Sequence, residues 1–483
     1  MAQPYDLLII GGGINGTAIA RDAAGRGLSV LLVEKDDLAS GTSSASSKLI
    51  HGGLRYLEQL EFKLVHEALH EREVLLRTAP HLVKPLAFIL PNPEKGRPWW
   101  MVRLGLRIYD LLAGRNRLPA ARTLSAQDAA FGEPLKPHLR GKLALYWDAW
   151  VDDARLVALN AVDASERGAE ISTRTALLSA RREDGLWRAH LSNGRLVAAR
   201  MIVNAAGPWV EEVLGGRLHA HRDSHARLVK GSHIVVPALY DGDHAYILQQ
   251  PDKRVVFALP YEGRFTLIGT TDIAVASPQD ARIDDAEIRY LCAAVNRYFL
   301  RRAEARNVVW SYSGIRALHD DGAANASAVT RDYHLELNED GPPLLSLFGG
   351  KITTARALAE EALNMLGVTT GRWTAGASLP GGDFETLSQV EAGYPWLPRT
   401  LAHRLVRSYG TRISAVIGAA DSLEKLGRHF GSGLYEAEVD YLLRKEFART
   451  AEDIMWRRTK IGLFLDPEEQ NGLRRYLDSD YIV

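Results

Sequence analysis

A short apolar run, "YDLLII" (residues 5–10), turns abruptly into "GGGINGTAIARDAAGRG" and then into a second run, "LSVLLVE". That order predicts a strand, a glycine turn, a helix and a second strand. From Leu57 through Leu60, Leu64 and Val65 to Ala68, apolar positions recur at helical spacing until Pro80 stops the pattern. Between residues 81 and 155 regular alternation is lost. "RLVAARMIVNAAGPWV" (195–210) predicts a strand ending in a small-residue turn, a return of the chain to its first domain. "GSHIVVP", "AYILQQ" and "RVVFALPYEGRFTLIGTTD" predict successive strands with hairpin turns, which suits a sheet-based second domain. "LLSLFGGKITTARALAEEALNML" (344–366) repeats the opening logic of strand, glycine pair and helix. From about Phe384 to Val483, Arg, Glu, Leu and Ala recur at helical spacing and predict a separate helical domain.

A chain of 483 residues is too long for one ordinary core, which agrees with two or three domains. Fifty-nine basic residues balance fifty-nine acidic ones, so the chain is no general polyanion binder, and any affinity for nucleic acid or membrane must be local. The single cysteine, Cys292, lies in "RYLCAAVNRYF" on an apolar helical face and reads as a buried structural thiol. There is no cysteine cluster for a metal, an iron–sulfur relay or a haem. The N-terminus lacks a basic n-region and a long apolar h-region, which predicts a reducing cytoplasmic compartment. No apolar run approaches the roughly 20 residues needed to span a bilayer.

Local affinity has one candidate. From Lys95 to Arg117 six basic residues and one acid interleave with Trp99, Trp100, Leu104, Leu106, Ile108 and Tyr109. Aromatics at the headgroup level with cations facing anionic lipid would make 95–117 a membrane-surface segment. A packed helix with solvated arginines accounts for it equally well, and nucleic acid is a distant third. At the N-terminus, Gly11, Gly13 and Gly16 have G-x-G-x-x-G spacing, and Glu34 ends the second strand where a carboxylate can hold an adenosine ribose. Glycines alone could mark a tight turn; the flanking strand, helix and acid favour a nucleotide unit. Two later returns to the same domain suit FAD better than a compact NAD domain.

"LLIIGGGINGTAIARDAAGRGLSVLLVEKDDLASGTSSASSKLIHGGLRYLE", "KGSHIVVP", "SYSGIRAL", "TRDY", "FGGKITT" and "DIMWRRTKIGL" together resemble the FAD-dependent glycerol-3-phosphate dehydrogenases, of the bacterial, aerobic, quinone-linked type. The similarity spans nearly the whole chain, and "SSASSKLIHGGLRYLE" is its most specific part. It implies an α/β plus α fold: a discontinuous Rossmann-like FAD domain of the amine-oxidase kind, a mixed-sheet substrate domain and a helical C-terminal domain. The expected segments are 1–80, 156–232 and 325–375 for FAD, 81–155 and 233–324 for substrate, and 384–483 for the helices.

The resemblance implies removal of a hydride from C2 of sn-glycerol 3-phosphate to FAD, giving dihydroxyacetone phosphate. A phosphomonoester pocket wants several cations, and arginine's planar fork suits phosphate oxygens. Arg55, Arg316 and Lys351 are the candidates, with Tyr56 as a hydroxyl donor; Lys351 also suits the edge of the flavin. Each arginine could instead be a surface ion-pair partner. A base must take the C2 hydroxyl proton; His233 is preferred over His51, and either could be a hydrogen-bonded structural histidine. An arginine or a water relay is the alternative. Residues expected at FAD are Gly11, Gly13, Asn15, Gly16, Glu34, Thr42, Ser43, Ser44, Ser47, Ala206, Gly207, Gly349, Gly350, Lys351 and Thr353, with Thr353 and Thr354 open to a reading as helix caps only. No metal is expected. Ubiquinone or menaquinone, a homodimer, and peripheral attachment to the inner face of the cell membrane follow from the resemblance alone. An oxidase making hydrogen peroxide, an amino-acid oxidase on the same fold and a non-catalytic FAD-binding scaffold or sensor are the rivals.

Overall fold

Leu7, Leu8 and Ile9 are fully buried because their strand, Tyr5–Ile10, lies inside a parallel sheet covered on both faces. The computed structural model describes residues 3–92, 96–221, 224–252, 254–320, 332–369 and 371–480. Lys95, Thr330 and Arg331 of the "TRDY" motif, residues 325–331 and 370 of the expected third cofactor segment, and Val483 lie outside the described residues.

The first sheet runs, edge to edge, through His334–Asn338, Leu344–Phe348, Leu196–Asn204, Tyr5–Ile10, Val30–Val33 and Glu170–Ser172, with Leu186–Leu191 and Leu177–Glu183 branching from Leu196–Asn204. Its middle five strands are parallel from Leu344–Phe348 to Glu170–Ser172. Helices Ile14–Gly25, Asp153–Glu166 and Ala355–Met365 pack together on one face and bury the largest apolar core. Three sequence-distant segments therefore build one domain, as the returns at 195–210 and 344–366 predict.

Ten strands form the second sheet. Ala226–Pro237 is its hub, paired with Phe265–Gly269, Ile273–Ala274 and Trp310–His319. The order continues through Val255–Tyr261, His244–Gln249, Val83–Pro91 and Leu143–Val151 to the edge strand Leu49–Ile50. The region 81–155 that shows no alternation thus supplies two central strands. Both are buried almost end to end, so neither face is polar and a period of two never shows. The expected junction at 232/233 falls inside the single strand Ala226–Pro237, and Leu49–Ile50, within the expected segment 1–80, belongs to this second sheet.

Helix Asp285–Asn296, carrying the buried Cys292, covers one face of this sheet; helices Phe62–Thr78 and Trp99–Ala113 cover the other. The Leu57–Ala68 periodicity resolves into a short 3-10 segment, Leu54–Gln59, and a helix that starts only at Phe62, because Leu60 takes a left-handed backbone. The C-terminal helices, from Leu387–Ala392 to Pro467–Asp480, enclose a core of their own, with a small hairpin, His429–Gly431 and Leu434–Tyr435, that helical spacing does not announce. No described helix is long and apolar enough to cross a membrane.

Candidate active site

A groove runs from Glu34 and Thr175–Leu177 past Gly11–Asn15 to Gly349–Thr353, where it meets the hub strand of the second sheet at His233. Close approach explains the glycines. Gly11 has φ +112°, and a Cβ there would lie 2.5 Å from the Ala205 carbonyl oxygen. A Cβ on Gly350, φ +100°, would lie 2.6 Å from Asn15 Nδ2. Gly16 does not face the groove; it lets the helix sit on the turn, since a Cβ would be 2.0 Å from the Gly11 carbonyl oxygen.

Side chains from three loops tie this frame together. Ser43 Oγ accepts from Ile14 N–H at 2.9 Å, Thr42 Oγ1 donates to the Ile315 carbonyl at 2.6 Å, and Asn15 Nδ2 donates to the Gly349 carbonyl at 3.3 Å. Glu34 accepts from the N–H groups of Gly12 and Asp36 at 2.7 and 2.8 Å. Burial raises the Glu34 carboxyl above its ordinary range, and these two N–H groups oppose the rise. Ala206, Gly207, Ser47 and Thr353 line the groove; Ser44 does not, and its carbonyl accepts from Lys48 Nζ at 3.0 Å.

At the far end the groove gathers His51, Tyr56, His233, Arg316 and Lys351. His233 Nε2 is 2.9 Å from Ser47 Oγ, its ring stacks on Tyr312 at 4.9 Å, and its buried Nδ1 has no hydrogen-bond partner. Burial first, then the charges of Lys48 and Arg316, hold this imidazole well below its ordinary pKa, so it is neutral near pH 7. Gly269, opposite His233 in the register, makes room for the ring: a Cβ would lie 2.0 Å from Cδ2. Gly231 does the same for the Arg316 guanidinium, 2.6 Å from a Cβ built there. Arg316 Nη1 donates to Asp272 Oδ1 at 2.7 Å, and Lys351 Nζ stands 4.3 Å over the Tyr56 ring.

A nucleotide fits this frame. The first turn of helix Ile14–Gly25 follows a glycine N-cap that makes no side-chain cap and opens on the groove, and Asn15 Oδ1 is buried there without a partner. Residues 6–356 match the family described as FAD dependent oxidoreductase.

The chain belongs to the FAD-dependent oxidoreductase family.

Residues 372–475 match a second family, the C-terminal domain of alpha-glycerophosphate oxidase. The chain is 52% identical to a D-erythritol 1-phosphate dehydrogenase of Brucella abortus, covering 100% of both chains. It is 51% identical to a glycerol-3-phosphate dehydrogenase of Pseudomonas aeruginosa, covering 100% of this chain and 96% of that one. The structure of a glycerol-3-phosphate dehydrogenase from Bacillus halodurans complexed with FAD superposes with a TM-score of 0.75 at 26% identity, over 99% of this chain and 94% of that one.

In this FAD-dependent oxidoreductase a second, largely apolar cavity abuts the groove. His51, Tyr56, Phe257, Thr270 and Arg316 line both. Arg55 lines only the second cavity, beside Leu57, Leu60 and Met101, apart from Lys351. Lys48, one of the cations around the Gly52–Gly53 pair, does not serve a ligand: fully buried, its Nζ bonds Asp153 Oδ1 at 2.8 Å. Thr354 begins the helix Ala355–Met365 without a side-chain cap, and Thr353 Oγ1 accepts from His51 N–H at 3.4 Å. Sequence reasoning missed Tyr312, Asp272, Trp209 and Thr175. Tyr312 and Asp272 stand in quoted runs, "SYSGIRAL" and "GTTD", but their pairing with His233 and Arg316 is set by strand register, which no local pattern encodes.

Proposed function

We propose that this FAD-dependent oxidoreductase oxidises sn-glycerol 3-phosphate to dihydroxyacetone phosphate and passes the two electrons to ubiquinone or menaquinone, attached peripherally to the inner face of the cell membrane. One observation carries the reading: the cationic end of the cofactor groove, with Arg316 and His233, shares its wall with an apolar cavity that reaches Leu60, Phe62, Met101 and Leu104 at the surface. A charged substrate and an apolar acceptor can then approach one cofactor from different directions.

Gly11, Gly13, Asn15, Glu34, Ser43, Ser47, Ala206, Gly207, Gly349 and Gly350 would hold FAD, being the expected residues that line the groove. FAD, when bound, supplies the acceptor for the hydride leaving C2. His233, neutral for the reasons above, takes the C2 hydroxyl proton, with Ser47 orienting Nε2 and Tyr312 fixing the ring plane. Arg316 and Lys351 hold the phosphate, and Tyr56 places Lys351 by its ring face. Asp272 fixes the Arg316 fork. Docking rests on helix Trp99–Ala113, which buries Val102, Leu106 and Tyr109 and leaves Trp100, Leu104 and Leu111 exposed. The packed-helix and membrane-surface readings of this segment are thus compatible: one face packs and the other is available to lipid.

The Brucella relative favours a second reading, a four-carbon polyol phosphate as substrate. Anaerobic turnover with a soluble dye on sn-glycerol 3-phosphate, D-erythritol 1-phosphate and glycerol separates the two. A higher kcat/KM for the three-carbon ester supports the proposal, and a higher value for erythritol phosphate replaces its substrate. Turnover in quinone-loaded vesicles without hydrogen peroxide supports the acceptor; oxygen consumed one for one with substrate would make the protein an oxidase.

A further inference from the structure

The run "DIMWRRTKIGL" takes no part in the chemistry above, yet its polar residues leave their own domain. Asp453–Arg458 forms a single π-helical turn whose Ile454 and Met455 sit in the C-terminal core. Arg458, 1% exposed, sends Nη1 and Nη2 to the two oxygens of Asp37 at 2.8 Å each, and its Nε and Nη2 also donate to the Glu446 carbonyl. Arg457 Nε reaches the same Asp37 carboxylate at 2.5 Å. Asp453 accepts Nη2 of Arg174 on both oxygens at 2.8 Å, and burial, which would raise its pKa, is outweighed by N–H groups of Arg449 and Thr450 and by Arg457 and Arg174.

Asp37 and Arg174 are not arbitrary anchor points. Asp37 lies between Glu34 and Ala39, which line the groove, and Arg174 directly precedes Thr175–Leu177, which line its opposite wall. The two loops are also joined to each other, Arg174 N–H to the Asp36 carbonyl at 2.9 Å and Thr175 N–H to the Glu34 carbonyl at 2.7 Å. Both walls of the Glu34 end, where the adenosine of a dinucleotide is held, are therefore fixed to one turn of the C-terminal domain.

We infer that this turn is a cofactor clasp: Asp453, Arg457 and Arg458 are positioning residues that hold the adenosine-end loops closed over FAD, so that the C-terminal domain governs cofactor release. The inference rests on FAD binding in the groove and is independent of the substrate assigned. A bidentate buried pair suits the task, since its planar geometry fixes the loop in orientation as well as distance.

The test is the rate of FAD release from the full-length holoprotein after dilution, followed by recovery of free-flavin fluorescence, in Asp37→Asn, Arg458→Gln, their double variant and Arg174→Gln. Asp37→Asn, Arg458→Gln and Arg174→Gln are each expected to speed release about tenfold or more, with the double variant no faster than its faster parent, because both changes break one contact. At saturating FAD, KM for substrate stays within about twofold, since the substrate end is not touched. Arg174 is partly exposed, so its variant leaves no buried cation and guards against misfolding in the others. Melting of apo and holo forms provides the second readout: the clasp predicts a smaller gain on adding FAD. Unchanged release in Asp37→Asn and Arg174→Gln, or equal loss of apo and holo melting temperature, would overturn the clasp.

Discussion

Trp100→Ser combined with Leu104→Ser removes two side chains from the outer face of helix Trp99–Ala113, where Trp100 is 67% and Leu104 48% exposed. A tryptophan side chain buries at most about 250 Å², so the exposed two-thirds, about 170 Å², offers lipid about 4 kcal/mol at ~25 cal/mol per Å². The exposed half of Leu104 adds about 1 kcal/mol. Partial immersion at the headgroup boundary roughly halves the sum, leaving about 2.5 kcal/mol, or roughly 60-fold weaker partitioning. Trp99 is not substituted, because it packs inward against Tyr109 and its neighbours. Sedimentation with vesicles containing anionic lipid measures the partition coefficient, while dye-linked turnover and the melting temperature should stay level, as expected for exposed positions. Vesicle binding within twofold of the parent would show that this face does not meet the membrane.

Arg316→Met or Lys351→Met should lower dye-linked kcat/KM for the phosphate ester by about 10- to 150-fold, the loss of one charged hydrogen bond of about 1.5–3 kcal/mol, with FAD content unchanged in the purified protein. His233→Gln should reduce kcat by about 10²–10⁴ while KM moves little; a variant with parental kcat would transfer the base role to His51 or a water relay. Burial first, then Arg155, pushes His81 down to about 3 from 6.5. Its folded pKa is the lower one, so the unfolded chain takes the proton first and stability is lost as pH falls from 6.5 towards about 3, by at most about 1.4 kcal/mol per pH unit. Urea unfolding of the parent and His81→Leu between pH 7.5 and 5 should show a shallower decline in the variant, and parallel curves would contradict it.

The nucleotide unit was legible because its information is local: a buried strand, a glycine turn and a helix within Tyr5–Gly25, then Glu34 after the next strand. The strands Val83–Pro91 and Leu143–Val151 were illegible for the opposite reason, since burial on both faces removes the alternation that marks a half-buried strand. In the site, a residue type predicts chemistry only until a distant partner claims it. Lys48 is spent on Asp153, 105 residues away, and Arg55 is carried by the Leu54–Gln59 segment into the apolar cavity. His233 fares differently, because glycines at 231 and 269 clear space on its own and the neighbouring strand, a signal present in "KGSHIVVP" and "LIGTTD" but readable only once the register is known.

The most direct measurement is the visible spectrum of the purified protein under anaerobic conditions before and after sn-glycerol 3-phosphate, with glycerol as control. The account predicts an oxidised flavin spectrum whose bands bleach with the phosphate ester and persist with glycerol. A bound flavin that stays oxidised with the ester would contradict it, and Arg316, Lys351 and His233 would then have to serve another substrate.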